Sequence, residues 1–289
     1  MRIGFIFSVI FWCYGANAQR HLNAEMDSLY VDSIRNFEIQ LEGLSNNIIN
    51  GTDKAERITS CFYFVQTLKE ALKVPNSFDY DFNSLKTVSA LRPDDNRFRI
   101  FTWNLLLDSG RYMYFGAIQM NSDDSLVLFG LYDSSEYNRD ITYGEFDNRH
   151  WMGALYYQIH HYVWKKKDYY LTFGWDGQNN KTNRKIIDVL WFDESNRPHF
   201  GDEIFNLEGD LVSRLIFDFS DNTSMLCRYD SDLDAIVYAH LVPLNPTLVG
   251  RYENYVPDGT YDMLKFEKGT WRRYELKFDP KHAGDLRRF

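Results

Sequence analysis

Residues 171–192 read LTFGWDGQNNKTNRKIIDVLWF, two strand-like runs around one polar loop. Tyr169, Leu171, Phe173 and Trp175 alternate as one face of the first run, which ends at Gly174-Trp175-Asp176-Gly177. A polar segment, Gln178 to Asn183, follows it. In the second run both alternating sets are apolar: Ile187, Val189 and Trp191 on one side, Ile186, Leu190 and Phe192 on the other. A strand apolar on both faces is covered on both, so it belongs at the centre of a sheet. Asp188 alone breaks the pattern.

Working outward from this stretch, period-two alternation runs from Phe78 onward. It predicts strands near 97–107, 111–120, 126–133, 151–164, 169–175, 184–192, 212–219, 224–229, 235–241, 250–256, 260–267 and 270–278. Residues 134–149 are polar and irregular and read as a surface loop. Most connections are too short for crossover helices, so neighbouring strands pair antiparallel. No fixed-period repeat is present, which counts against a propeller.

The N-terminal quarter has a different period. Leu22, Met26, Leu29 or Tyr30, Ile34, Phe37, Leu41, Leu44 and Ile48 step by three and four, predicting a helix over 22–49. Asn50-Gly51 suits a helix stop with glycine in the left-handed position. Asp53 and Glu56 form a capping-box pair for a second helix over 53–73, whose inward residues are read as Ile58, Phe62, Val65, Leu68 and Leu72. The fold class expected is mainly β: an antiparallel multi-stranded sandwich or barrel-like body (76–289) preceded by an α-helical hairpin (19–75) packed on it.

Residues 1–18 read as a signal peptide, with Arg2, an apolar run from Ile3 to Tyr14, and Ala16-Asn17-Ala18 as the cleavage site. Trp12 precedes Cys13 where a lipoprotein signal needs a small residue. The mature chain is therefore expected to be exported, whether periplasmic, outer-membrane-associated or secreted, and not integral to a membrane. The formal charge of −9 on the full sequence repels phosphate backbones, which argues against nucleic acid as a partner. Cys61 and Cys227 both fall on apolar faces and read as buried thiols rather than a bridge or a nucleophile.

The segments Arg92 to Ile100, Gly153 to Tyr157 and Gly174 to Leu190 resemble a family of exported bacterial proteins to which no activity is attached. The resemblance spans most of the β region and carries no motif of known chemical role, so it transfers no functional residue.

Three groups of residues could carry chemistry. The loop with Trp175, Asp176, Asn179, Asn180 and Asn183 combines an aromatic platform with side chains that bind hydroxyl-rich ligands, or that bond their own backbone in turns. Asp188, Asp218 and His240 are single polar groups in apolar strands, candidates for general acid–base work or for structural ion pairs. Asp230, Asp232 and Asp234 alternate as in a calcium loop, but Ala235 and Leu241 stand where that loop needs glycine and glutamate, so a hairpin turn is the better reading. No cofactor is implied. The leading function class is a non-catalytic envelope module contacting a partner protein or glycan through aromatic and polar loops. The alternatives are a glycan or peptide hydrolase using Asp188 and Asp218, and a structural subunit of an envelope assembly.

Overall fold

The computed structural model describes residues 7–107, 110–122 and 124–275, with side chains from residue 26 to 274. The chain is mainly β, 43% strand and 22% helix, with two helices ahead of antiparallel sheets. It divides into two compact units, residues 1–87 with 121–127, and residues 88–120 with 128–289.

In the first unit, α1 (Phe7–Asn50) and α2 (Lys54–Lys73) form an antiparallel hairpin. Backbone helix continues N-terminal of residue 22 and through the expected cleavage site after Ala18. Ile34, Leu41 and Ile48 are buried as their spacing predicts. The α2 start is capped by Asp53, which accepts from the Glu56 amide at 2.9 Å, while the Glu56 carboxylate takes the Thr52 amide at 2.8 Å. Gly51 does not use a left-handed φ. Close approach explains it instead, because a Cβ there would lie 2.6 Å from the Asn47 carbonyl oxygen. The α2 stripe is corrected as well: the buried residues are Cys61, Phe64, Leu68, Ala71 and Leu72, whereas Ile58, Phe62 and Val65 are exposed. Both rows are apolar at helical spacing, so periodicity alone cannot choose between them. Buried Glu38 on α1 ties down the following segment, accepting from the Tyr80 hydroxyl and from the Ser84 amide.

The second unit holds three sheets. The first is a meander of β1 (Ser89–Leu91), β2 (Phe98–Leu106), β3 (Tyr112–Met120) and β4 (Leu128–Tyr132). The second has the order β5 (Phe146–Asp147), β9 (Pro198–Phe200), β8 (Thr182–Phe192), β7 (Lys167–Asp176) and β6 (Leu155–Trp164), with β12 (Leu215–Ser220) also paired to β8. The third runs β11 (Asp210–Val212), β10 (Phe205–Leu207), β16 (Thr270–Glu275), β15 (Tyr255–Glu267), β14 (Ala235–Pro243) and β13 (Cys227–Asp230). Among the described residues the named strands pair antiparallel except β10 with β16, and an isolated bridge between Asp133 and Trp151 is also parallel.

Strand β8 is central, as its two apolar faces require. Ile187 and Val189 join a core with Leu171, Phe173, Ile236, Leu264 and Trp271, which the second and third sheets share. On the opposite face, Tyr170 and Phe192 pack on Phe98 of the first sheet, with ring centroids 4.8 and 5.2 Å away. The sheets are thus layered rather than closed into a barrel. Pro257-Asp258-Gly259, between the expected runs 250–256 and 260–267, lies inside β15, where a register shift against Ala239 and Leu241 makes a bulge that accommodates proline and a Gly259 φ of +91°. The expected run 250–256 is a short 3-10 turn at Tyr252–Asn254 leading into that strand. Expected strand residues 276–278 lie outside the described residues. Among the described residues no helix is long and apolar enough to cross a membrane.

Candidate functional site

The polar turn between β7 and β8 forms one wall of a cleft of about 450 Å³. Facing it are Arg111, Tyr112 and Tyr114 of the β2–β3 hairpin, and Asp133, Glu136 and Tyr137 beyond β4. Gly177 permits this approach, because a Cβ there would sit 2.3 Å from the Tyr112 ring. The Tyr112 ring packs edge-on against Trp175, with centroids 5.5 Å apart. Trp175 therefore supports the aromatic wall from behind.

Within the cleft, Asp176 is half-buried. Its Oδ1 accepts from the Gln178 amide at 2.8 Å, and the carboxyl also bonds the Tyr114 hydroxyl, which takes the Gly177 amide at 2.8 Å. Burial pushes the Asp176 pKa up, and the neighbouring Asp133 charge adds to this. The Gln178 amide, Arg184 and Tyr114 oppose the rise. Burial, and then the Asp176 charge, holds the Tyr114 phenol well above its usual range. Asp133 accepts from the Tyr114 amide at 3.0 Å and from the Ser135 amide and hydroxyl at 3.0 and 2.5 Å. Arg111 pairs with Glu136 on the rim, and Tyr137 is 82% exposed.

The residues predicted from the loop separate into different roles. Asp176 and Asn179 line the cleft. Asn179 is largely occupied by its own turn, its Oδ1 taking the Lys181 and Thr182 amides and its Nδ2 donating to the Thr182 hydroxyl at 2.7 Å. The Asn180 side chain lies against Gly110, and Asn183 sits in the ladder opposite Phe219. Tyr112, Tyr114, Asp133 and Tyr137 escaped the sequence reading because they lie some 40 to 60 positions away, with no local spacing linking them to the loop.

The other candidates have partners of their own. Asp218 lies opposite Arg184 on β8 and holds it bidentately, at 2.5 and 2.8 Å, while also taking the Gln178 amide side chain at 3.1 Å. It thus braces the cleft wall from below. Asp188 is fully buried and paired with Arg214 at 3.1 Å. Arg184 and Asp188 are four positions apart on β8, roughly 13 Å at strand rise, so Asp188 and Asp218 serve separate arginines and share no site. His240 bonds Asp262 at 2.8 Å, and Arg273 holds the same carboxylate at 2.9 Å. These three line a second, smaller depression of about 330 Å³. In the acidic turn, Asp230 takes the Asp232 and Leu233 amides and pairs with Arg228 at 2.6 Å, while Asp234 accepts from the Tyr229 hydroxyl. The Asp230 and Asp234 carboxylates are therefore engaged within the hairpin, and Asp232 enters the turn through its backbone amide. A different trio draws its ligand atoms within 4.8 Å: Asp95, His161 and Asp168, with the Arg97 guanidinium 3.5 Å from Asp168. Cys61 and Cys227 are both buried, and burial pushes the Cys227 thiol up to about 12.

The chain matches no family model, and comparison with curated proteins and with solved structures returns no significant match.

Proposed function

We propose that this protein is an exported binding module that takes a hydroxyl-rich glycan in the cleft beside the β7–β8 turn. The observation that carries the reading is the pairing of a tyrosine wall, Tyr112 and Tyr137, with a polar wall of Asp176, Asn179 and Arg184 across one concavity. Aromatic faces cover the apolar face of a sugar ring, and fixed carboxylate, amide and guanidinium groups bond its hydroxyls. Two arginines and three carboxylates line the cleft. That near-balance favours a neutral or weakly charged ligand over a polyanion.

Calorimetric titration of the purified protein with a panel of neutral and acidic oligosaccharides tests this. Tyr137→Ala should weaken binding about tenfold, a loss of about 1.4 kcal/mol from an exposed stacking ring, without changing the melting temperature. A panel with no binder overturns the reading. Export is tested by intact mass of protein recovered from an exporting host, which should begin at Gln19.

A second reading, docking of the helical hairpin on another envelope protein, is favoured by the exposed apolar row Ile58, Phe62 and Val65. Phe62→Glu would abolish such docking and leave the cleft untouched.

A further inference from the structure

Asp133 and Asp176 line the same cleft, close enough for the charge of one to act on the other. Their surroundings differ in kind. Three donors, the Tyr114 amide and the Ser135 amide and hydroxyl, fix the Asp133 carboxylate and satisfy its charge. The Ser135 hydroxyl is held in turn by the Gly153 amide at 3.0 Å. Asp176 instead accepts from one backbone amide, that of Gln178, and from the buried Tyr114 hydroxyl, and the neighbouring cation Arg184 is already held bidentately by Asp218. Glu136 is taken by Arg111. Two carboxyl groups held in different surroundings on one cleft are the usual equipment for acid–base cleavage of an acetal.

We propose that this cleft hydrolyses a glycosidic bond, with the Asp176 carboxyl as general acid and the Asp133 carboxylate as general base. The assignment rests on the glycan-binding reading and goes beyond it. Asp176 passes its proton to the departing glycosidic oxygen as that oxygen's bond to the anomeric carbon breaks. A water molecule bonds to the anomeric carbon and gives a proton to Asp133. The net change consumes one water and yields two hydroxyl-bearing products, and exchange with solvent returns Asp133 to the carboxylate and Asp176 to the acid. Burial and the Asp133 charge raise the Asp176 pKa, which supports its holding that proton.

The test uses the full chain and two probe sets: reducing-end-labelled oligosaccharides that bind in titration, and aryl glycosides of the same sugar. The wild type should turn them over with inversion at the anomeric carbon. Asp176→Asn, which keeps the side-chain shape, should lower kcat by about 10²–10⁴ on the labelled oligosaccharide with KM within a few-fold. On a 2,4-dinitrophenyl glycoside, whose leaving group needs no proton, the loss should shrink below tenfold. An equal loss on both leaving groups would make Asp176 a wall residue and overturn its role as acid. Retention of configuration would overturn Asp133 as base. Oligosaccharide binding without any turnover overturns the catalytic proposal and leaves the binding reading intact, whereas failure of every probe to bind sinks both.

Discussion

Asp188 and Arg214 form a fully buried ion pair at the seam of the central sheet, with Nε and Oδ1 3.1 Å apart. On one edge of β8, β12 covers Thr182 to Ile187 and β9 covers Leu190 to Phe192. Asp188 faces the gap between them. Arg214 fills it, its guanidinium reaching the Phe200 carbonyl at 3.1 Å, the Gly144 carbonyl at 2.8 Å and the Ile141 carbonyl. One residue thus joins two strands and the loop ahead of β5. Removing it strands a buried carboxylate and three carbonyls, so Arg214→Met should cost about 3–5 kcal/mol in urea unfolding. A loss under about 1 kcal/mol would show that the seam is held by packing alone.

Gly177 sets the width of the cleft. Its φ is not left-handed, so any penalty for a larger residue comes from space and not from the backbone. Gly177→Ala drives a methyl into the Tyr112 ring, which should cost about 1–3 kcal/mol and displace the aromatic wall. Thermal melting and oligosaccharide titration should fall together. Unchanged affinity with lowered stability would remove Tyr112 from the binding surface.

The two apolar rows of α2 make a paired test. Phe64 is fully buried and Phe62 is 59% exposed. Phe64→Ala should destabilise by about 3–5 kcal/mol, and Phe62→Ser should stay within about 0.5 kcal/mol of wild type. Equal effects in chemical denaturation would contradict the hairpin's packing face.

His160 stacks on Tyr229 with centroids 3.4 Å apart, and burial lowers its pKa to about 4, with the charges of Asp234 and Asp94 opposing the shift and His161 adding to it. The folded state therefore binds fewer protons than the unfolded state between about pH 4 and the ordinary histidine value near 6.5. Stability should fall as pH drops through that window, and His160 should contribute no slope above it. His160→Phe should flatten the acid side of a melting-temperature profile. An unchanged profile would show that the ring titrates freely in the fold.

Local pattern determined much of this architecture. The doubly apolar run 186–192 marked the central strand, alternation marked the antiparallel ladders, and Asp53 with Glu56 marked the start of α2, because each of those features is set by neighbours within one turn or one strand. Strands of two or three residues, β1, β5, β9, β10 and β11, are too short to show a period and were invisible to it. Which apolar row of α2 turns inward was equally closed to periodicity, since both rows satisfy the spacing and only packing distinguishes them. The chemistry was more remote still. Asp188 and Asp218 stood out as polar intruders, and tertiary structure supplied each with an arginine across a strand gap or a ladder. Asp176 drew notice for its loop, yet its significance comes from Tyr114 and Asp133, brought to it from separate strands by the stacking of sheets. Sequence fixes which side of an element is apolar through short-range periodicity. Which side chains then share a cleft depends on long-range contacts between elements, and that information exists only once the sheets have packed.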